Sequence, residues 1–416
     1  MKRAISIAVA AVVCGTTPAF GAISDAEFAQ LRAEFSAMSQ RLNALEAENS
    51  ALREMSQTTV TELEIAQTTL SEVKDSSAAS SWTDTIKLKG DFRYRYEAID
   101  VEESDSRERN RIRARAQLSA KLANNVDVGI GVASGGDDPV SSNQTLGGGG
   151  SSKELKLDLA YAKWNMNDGS YLQAGKFKNP LYKPQKSGLL WDGDWRPEGV
   201  SAGWAGEHLF GAFFGNWLES DTKKSNDAFA WGLQGGAKFN IGSASLTTAL
   251  GYFDFPTAGN ESYFDDDFFG NSSVDGVYLY DYEMVELGAD LGMNIFDMPF
   301  NVFANFVQNQ DADEYDTGWQ AGAKLGKASR KGGWELGYRY QDLEADAVLG
   351  LLSDSDFAGG GTDGKGHILS GAYGINPQWK VGFTWFLDNE AGEKNLADAG
   401  GALSYDRIML DTAWKF

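Results

Sequence analysis

Arginine and lysine residues recur at every second position in two adjacent segments, residues 85–98 and 107–122. Cationic side chains held in a row attract anions, so this spacing could line a path for charged solutes. Acidic residues share the same parity and could pair with the cations. The cationic positions on this parity are Lys87, Lys89, Arg93, Arg95, Arg109, Arg111, Arg113 and Arg115.

The residues between these cations are mostly apolar, as with Phe92 and Tyr94 in the first segment and Ile112 and Leu118 in the second. Successive side chains of a β-strand point to opposite faces, so each segment has one apolar face and one basic face. A face rich in Arg and Lys cannot form the core of a two-sheet sandwich. The alternation therefore favours the strands of a transmembrane barrel, whose apolar face contacts lipid.

The composition of the whole chain argues against several classes of protein. The net charge of −22 argues against a nucleic-acid partner, because binding phosphate requires a basic surface. After residue 22 no run approaches the ~20 apolar residues of a membrane-spanning helix. His208 and His367 are the only histidines, and neither lies in a zinc or catalytic signature. We therefore expect no metal, no cofactor and no enzymatic activity.

The N-terminus carries the features of an export signal. A basic pair precedes an apolar stretch, residues 4–13, and small residues follow at Ala19 and Gly21. Residues 1–21 are therefore predicted to be a signal peptide. The single cysteine, Cys14, lies within this peptide, so the mature chain is expected to contain no thiol.

Residues 22–75 are predicted to form a periplasmic helix that assembles as a coiled coil, because apolar residues recur at the a and d positions of successive heptads. Asn49, at an a position, would fix the register of neighbouring chains. The alternative is an amphipathic helix that lies on its own domain. Residues 76–81 follow as a polar, flexible linker. The predicted core positions are Phe28, Leu31, Phe35, Met38, Leu42, Leu45, Asn49, Leu52, Leu63 and Leu70.

Residues 82–416 are predicted to form a succession of β-strands. The connections alternate in length, which is typical of transmembrane barrels with tight periplasmic turns and longer outer loops. We therefore predict an all-β fold, a transmembrane antiparallel up-and-down barrel of about sixteen strands. The predicted strands are residues 85–98, 107–122, 125–134, 153–165, 169–177, 198–205, 207–218, 227–240, 243–255, 280–296, 299–309, 316–327, 332–343, 366–376, 378–388 and 404–416.

The final strand has a mostly apolar parity that ends in aromatic residues at Trp414 and Phe416, while Arg407 and Lys415 lie on the other face. This ending resembles the C-terminal assembly signal of bacterial outer-membrane barrels, which ends in Phe with an aromatic residue two positions earlier. It implies the barrel-assembly machinery as a partner. Because the last strand should close the barrel beside the first, Arg407 and Lys415 are expected to join the basic side.

The signal peptide, the N-terminal coiled coil, the barrel of residues 82–416 and the terminal Phe416 together resemble the bacterial putative-porin family. The layout is also similar to that of sixteen-stranded trimeric porins. The resemblance implies a passive outer-membrane channel for small hydrophilic solutes, in contact with lipid and lipopolysaccharide. It also implies a homo-oligomer, with a trimer expected. In such porins the third outer loop folds into the lumen and faces arginines on the wall.

The third long connection in this chain, residues 178–197, is more apolar and more aromatic than the other loops. This composition suits a loop packed against the barrel wall. We therefore expect Asp192, Asp194 and Glu198 to form a constriction in which acids face the basic wall. The alternative is that the basic residues only solvate the lumen and pair with nearby acids such as Asp91 and Glu97.

Three functions remain open from the sequence. The first is a general diffusion channel. The second is a substrate-specific channel, in which the row of arginines serves anions such as phosphate or organic acids. The third is a structural tether, in which the N-terminal rod links the outer membrane to the cell wall. A saturable block of the current by one anion would separate the second function from the first.

Overall fold

The structure, a computed structural model, describes barrel residues 85–220, 227–396 and 401–416 and part of the N-terminal segment. In that segment the described positions are 33, 36–37, 40–41, 43–53, 55 and 57. The predicted signal peptide, the linker and most predicted coiled-coil positions lie outside the described residues. Those coiled-coil positions are Phe28, Leu31, Phe35, Met38, Leu42, Leu63 and Leu70.

The chain divides into two compact units, and the first, Met1–Trp82, is helical at every described position. Leu45 and Leu52, both predicted core positions, are 57% and 56% exposed, and Asn49 between them is also exposed. An exposed apolar edge is what a coiled coil requires of one chain, and the coiled coil stays a prediction. The described part of this unit has no helix that is both long and apolar enough to cross a membrane.

The second unit, Thr83–Phe416, forms a closed antiparallel β-barrel, with sixteen long strands among its described residues. Each strand pairs with its neighbours in sequence, which confirms the predicted all-β, up-and-down fold. In chain order the strands are β1 Ile86–Val101, β2 Arg107–Lys121, β3 Val126–Ser134, β4 Leu155–Asn165, β5 Ser170–Lys176, β6 Glu198–Ala205, β7 Leu209–Glu219, β8 Ala228–Ile241, β9 Ala244–Phe255, β10 Tyr282–Ile295, β11 Met298–Asn309, β12 Thr317–Gly326, β13 Trp334–Leu343, β14 Gly364–Gly374, β15 Trp379–Ala391 and β16 Leu403–Lys415.

The barrel closes where β1 pairs with β16. This antiparallel pairing runs from Asp91 opposite Lys415 to Val101 opposite Tyr405. On its other side β1 pairs with β2 along most of its length. Closure pairs each of the sixteen described strands with a neighbour on both sides, which a lipid environment requires of the backbone. It also brings the side chains of β16, including Arg407, beside those of β1.

Mostly short turns join the strands at one end of the barrel and mostly longer loops join them at the other, and we name these the turn end and the loop end. The turns are residues 122–125, 166–169, 206–208, 242–243, 296–297, 327–333 and 375–378. Loops 1 to 8 are residues 102–106, 135–154, 177–197, 220–227, 256–281, 310–316, 344–363 and 392–402. Short elements within these connections are the strands Gln144–Thr145, Ser273–Val274 and Val277–Tyr278 and the 3₁₀ turns Ala123–Asn125, Pro184–Lys186, Gly350–Leu352 and Phe357–Gly359.

Alternate side chains of the strands face outwards, and most of the large ones are apolar. On β16, Ile408 and Leu410 are 41% and 50% exposed, whereas Arg407 and Met409 are buried. Each of the sixteen strands carries at least one exposed large apolar side chain of this kind. The exposed side chains therefore surround the wall, as expected for a surface in contact with lipid.

The largest buried apolar cluster is built by loops that pack against the inner side of the wall. Trp191 of loop 3 stacks on Trp195 with 4.9 Å between ring centroids, and Phe253 of β9 meets Trp191 edge-on at 5.1 Å. Leu352 of loop 7 and Tyr278 of loop 5 belong to the same cluster. Apolar burial therefore holds loops 3, 5 and 7 together inside the barrel.

The C-terminal residue Phe416 completes the wall against Gly90 of β1. The main-chain N–H of Gly90 donates to the carbonyl of Phe416 at 2.9 Å, and that of Phe416 donates to Gly90 at 3.0 Å. The aromatic ring of Phe416 lies where a side chain at position 90 would be. A Cβ there would also come within 2.6 Å of the main-chain oxygen of Arg115.

Gly90→Val should therefore impair folding of the barrel, because its side chain displaces the Phe416 ring and presses on the neighbouring backbone. We expect a clear loss of the heat-resistant folded form in gel electrophoresis. Gly235→Val on β8 is the matched control, since a Cβ at that position meets no atom within 4 Å. Equal yields of folded barrel from the two variants would contradict the role given to Phe416.

Candidate functional site

The predicted cations of β1 and β2 lie at directly opposed, inward-facing positions. Arg93 lies opposite Arg113, and Arg95 lies opposite Arg111. The two strands carry seven arginines, and we name six of them, all except the exposed Arg107 at the loop end of β2, the arginine wall. Like charges placed directly opposite one another repel, so the wall requires acids among its members. The arginine wall comprises Arg93, Arg95, Arg109, Arg111, Arg113 and Arg115.

Glu97 of β1 is the acid at the loop side of the arginine wall. Its buried carboxylate accepts hydrogen bonds from Arg109 at 2.7 Å and from Arg111 at 3.4 Å. Arg407 of β16 donates to it at 2.9 Å, which is possible because β16 closes the barrel beside β1. One carboxylate thus holds three guanidinium groups in place.

Asp91 and Asp411 neutralise the remaining arginines of the wall. Asp91 forms ion pairs with Arg113 at 3.0 Å and with Arg115 at 2.8 Å. Asp411 of β16 accepts two hydrogen bonds from Arg95, at 2.7 and 3.0 Å, in a bidentate arrangement. The contacts therefore match the alternative drawn from the sequence, in which the arginines pair with acids such as Asp91 and Glu97.

The other predicted basic residues lie nearer the turn end. Lys87 and Lys89 at the start of β1 and Lys415 at the end of β16 are exposed. Arg93 lies farther inside, where its guanidinium donates to the side chain of Asn143 in loop 2. The predicted basic positions thus form two groups, paired arginines in the middle of the wall and solvated lysines at its turn end.

Loop 3 lies across the interior of the barrel. The N–H of Tyr182 donates to the side chain of Gln234 on β8 at 2.7 Å. Farther along the loop, Gln185 donates to Asp290 on β10, and Ser187 bonds to the side chain of Gln320 on β12. Because these partners lie on the inner side of three separate strands, the loop spans part of the lumen instead of extending into solvent.

Asp194 is the loop 3 acid that contacts the arginine wall. Its carboxylate pairs with Arg115 at 2.7 Å and with Arg113 at 3.7 Å. The N–H of Ser142 in loop 2 also donates to it, at 3.3 Å. Burial alone would raise the pKa of Asp194, but the facing guanidinium groups lower it below its ordinary value.

The structure places Asp192 differently from the prediction, because it faces loop 7 instead of the wall. One carboxylate oxygen accepts the N–H of Asp194 at 2.6 Å, which turns the side chain back along its own loop. The other accepts the N–H of Ser355 at 3.2 Å. Burial, followed by the nearby charges of Asp354 and Asp194, raises the pKa of Asp192 well above its ordinary value.

The prediction that Glu198 faces the basic wall was wrong, because its side chain points outwards. Glu198 is the first residue of β6 and shares the outward parity of Val200 and Trp204, both of which are exposed. Its carboxylate pairs with Lys176 on β5, and its side chain is 61% exposed. The residue therefore lies on the outside of the barrel, where it cannot face the wall.

Loop 7 supplies acids that the sequence analysis did not identify. Asp356 pairs with Arg95 at 2.8 Å and with Arg407 at 2.7 Å. Asp354 pairs with Arg339 of β13 at 3.0 Å. The sequence does contain a pattern that indicates these acids. Loop 7 combines an apolar run, Val348–Leu352, with aspartates that follow it, as loop 3 does.

Two adjoining cavities lie beside the arginine wall, on its turn side, and we name them together the basic chamber. Their volumes are about 360 and 310 Å³, and both are lined by Asp91, Arg115 and Lys415. Cations predominate over acids in the combined lining. The other cations are Lys89, Arg93, Arg113, Lys178, Arg196 and Lys380, and the other acids are Asp158, Glu335 and Asp411.

Comparison with known proteins identifies a family and a fold. A family model described as a putative porin matches residues 99–276 and 273–416. None of the curated proteins matches the chain. The high-pH structure of OprB from Pseudomonas putida has a TM-score of 0.55 at 12% identity, covering 82% of this chain and 96% of that one. This likeness shows the barrel fold.

Two further solved structures are similar over most of their length. OmpF of Salmonella typhi, in complex with daunomycin, has a TM-score of 0.49 at 11% identity, covering 80% of this chain and 97% of that one. The trimer form of in-vitro folded OmpT from Vibrio cholerae has a TM-score of 0.48 at 12% identity, covering 80% of this chain and 100% of that one.

Asp194→Asn and Asp192→Asn should change the free energy of unfolding with opposite dependence on pH. A lowered pKa stabilises the fold above the ordinary carboxyl range, and that gain is lost as the pH falls. A raised pKa makes ionisation unfavourable in the fold as the pH rises. As the pH rises from about 3 to about 7, the free energy of unfolding of Asp194→Asn should therefore fall relative to that of wild type, and that of Asp192→Asn should increase relative to it.

Thermal unfolding followed by circular dichroism across this pH range measures both slopes. The two residues lie in one loop, so each variant is the control for the other. Slopes of the same sign would contradict the assigned environments.

Proposed function

Because the chain belongs to the putative porin family, we propose that it forms a water-filled channel for passive diffusion of small hydrophilic solutes and ions. The family and the barrel fold support an outer-membrane channel rather than an enzyme. The observation that carries the proposal is a closed barrel with an apolar outer face and a charged inner face. Charged inner walls are stable when they contact water or one another, as in barrels that conduct solutes.

The proposed passage runs past loop 3 and through the basic chamber. Loop 3 narrows the path, and its Asp194 contacts Arg113 and Arg115 at the narrow point. Loops 3, 5 and 7 fill the side of the lumen next to β9 with apolar side chains. The charged side next to β1, β2 and β16 is therefore the side that remains for solutes.

A preference for anions is favoured by the lining of the basic chamber. The chain as a whole has a net charge of −22, but the charge of distant residues is screened beyond about 10 Å in salt solution. An ion in the pore interacts mainly with the side chains that line it. Lys89, Lys178 and Lys415 are exposed members of that lining, so their charges act on the solute path.

The ion preference is testable by reversal potential in a potassium chloride gradient across a planar bilayer. We expect anions to permeate better than cations. Lys89→Gln with Lys415→Gln should reduce the anion-to-cation permeability ratio by about twofold or more, since two cations at the path are removed. Lys331→Gln, an exposed lysine in the turn 327–333 and outside the chamber lining, is the matched control. A cation preference in the wild type would refute this part of the proposal.

We further propose that the protein is a homo-oligomer, with a trimer as the expected number. β5 and β6, Ser170–Lys176 and Glu198–Ala205, are shorter than the roughly 9–11 residues of a membrane-spanning strand. Their outer side carries the Lys176–Glu198 ion pair, which fits lipid poorly. A second copy of the chain covering this face would shield the two short strands and the ion pair from lipid.

Cysteine cross-linking tests this interface. Leu172 on β5 and Leu250 on β9 are both exposed on the outer face, at different positions around the barrel. With the predicted removal of Cys14, single substitutions give chains with one thiol. Leu172→Cys should form cross-linked oligomers with a short bismaleimide, and Leu250→Cys should not. Equal cross-linking of the two variants would place the interface elsewhere.

We also propose roles for the N-terminal and C-terminal segments of the chain. Residues 1–21 act as the export signal, and residues 22–75 form a periplasmic coiled coil that joins protomers, supported by the exposed edge at Leu45 and Leu52. Trp414 and Phe416 present the terminal aromatic pattern to the barrel-assembly machinery, and the outer band contacts lipid and lipopolysaccharide.

A further inference from the structure

Loop 7 inserts one carboxylate between two arginines that belong to different strands. Asp356 Oδ2 accepts a hydrogen bond from Arg95 Nη1 at 2.8 Å, and Oδ1 accepts one from Arg407 Nη2 at 2.7 Å. Arg407 Nη1 also donates to the main-chain oxygen of Asp356 at 3.0 Å. Both oxygens of a single carboxylate are therefore satisfied, one by each guanidinium group.

The two arginines are held in place by groups other than Asp356. Asp411 binds Arg95 in a bidentate arrangement at 2.7 and 3.0 Å. Glu97 accepts a hydrogen bond from Arg407 at 2.9 Å. These acids lie on β1 and β16, in the rigid wall. The pair of guanidinium groups is thus preorganised by the barrel itself, which reduces the cost of ordering them around any occupant.

The strand carboxylates beside Arg95 and Arg407 do not neutralise the two guanidinium groups without a further anion. Glu97 already serves Arg109 and Arg111 as well as Arg407. Without Asp356, two strand carboxylates, Glu97 and Asp411, would face five guanidinium groups, and buried cations without partners are strongly destabilising. Burial alone would raise the pKa of Asp356, but Arg407 and Arg95 lower it far below its ordinary value.

The backbone two to five residues after Asp356 adopts the left-handed conformation that favours glycine. Residues Ala358, Gly359, Gly360 and Gly361 all have positive φ, at 47°, 96°, 99° and 88°. Three consecutive glycines adopt this region without the steric cost paid by other residues, and they restrain the chain little when it moves. Phe357, between Asp356 and these glycines, is buried against Phe386 and Met409 of the wall, so the carboxylate is attached to the barrel through an anchored aromatic residue followed by a glycine-rich segment.

We infer that Arg95 and Arg407 form a carboxylate-binding site of the channel, in which Asp356 is a tethered occupant that a solute carboxylate can replace. The inference rests on the proposed channel function and names carboxylate-bearing anions as the class of solute that this site takes. A planar carboxylate fits because each arginine contributes a donor to one of its two oxygens.

The experiment replaces the tethered carboxylate by a free one. Asp356→Ala removes the group, and formate is the probe because it is a free carboxylate of nearly the size removed. Formamide, its neutral counterpart, is the control ligand. Asp354→Ala is the matched control variant, since it removes an aspartate of the same loop that pairs with Arg339 and accepts the N–H of Asp356 at 3.0 Å, but it leaves the Asp356 carboxylate in place.

The first readout is the thermal unfolding midpoint of the full-length protein in detergent. Asp356→Ala should unfold at a lower temperature than wild type, and about 0.1 M formate should restore about half of the loss or more. Formamide should restore none. Formate should have little effect on wild type or on Asp354→Ala. If Asp356→Ala does not fold in buffer, the yield of folded barrel on refolding with formate or formamide gives the same comparison.

The second readout is the current through single channels in potassium chloride. In Asp356→Ala, formate should reduce the chloride current in a saturable way, and formamide should not. Equal effects of formate and formamide on stability, or equal rescue of Asp356→Ala and Asp354→Ala, would overturn the inference. Absence of any current in wild type would refute the proposed function instead, while the stability readout would still decide whether the site binds a carboxylate.

Discussion

A guanidinium group that is buried away from water inside a barrel is stable only when a carboxylate lies within reach of it. The first hairpin places Arg93 opposite Arg113 and Arg95 opposite Arg111, so this requirement acts on the whole inner surface. The strands supply Asp91, Glu97 and Asp411, and these are not enough. The loops supply the remainder, Asp194 from loop 3 and Asp356 from loop 7. The charge of the wall therefore accounts for the direction in which two loops fold, and it shapes the space that they leave.

Apolar packing holds the same loops from the opposite side. Trp191 and Trp195 stack in loop 3, and Leu352 of loop 7 joins their cluster against Phe253 on the wall. The wall of the barrel is a single sheet whose outer apolar side chains are exposed. Its largest buried apolar cluster therefore lies inside the lumen, where the loops pack against the wall. The interior is thereby divided into a filled, apolar side and a charged side. This division places the basic chamber on the charged side, away from the apolar cluster.

The balance of charge inside the barrel differs from that of the chain. The net charge of −22 is a property of the whole composition, whereas a solute in the proposed passage would meet the exposed Lys89, Lys178 and Lys415 of the basic chamber. Because screening in salt confines electrostatic influence to about 10 Å, the two measures need not agree. The arginine wall contributes less to this local charge than its composition suggests, since its members are paired. Selectivity in the proposed channel is therefore assigned mainly to the exposed lysines of the basic chamber, Lys89, Lys178 and Lys415.

The sequence by itself determined the barrel. Alternation of side chains with period two specifies which face of each strand contacts lipid, and alternating connection lengths specify the order of turns and loops, so the strands were predicted to within a few residues. It also identified Asp194 and the alternative that Glu97 pairs with the arginines. Only the tertiary structure decided that Asp192 faces loop 7, that Glu198 points outwards and that Asp356 reaches Arg95 and Arg407. Strand periodicity is local, whereas the partner of a loop side chain depends on how residues 344–363 and 177–197 fold across the lumen, which no local pattern encodes.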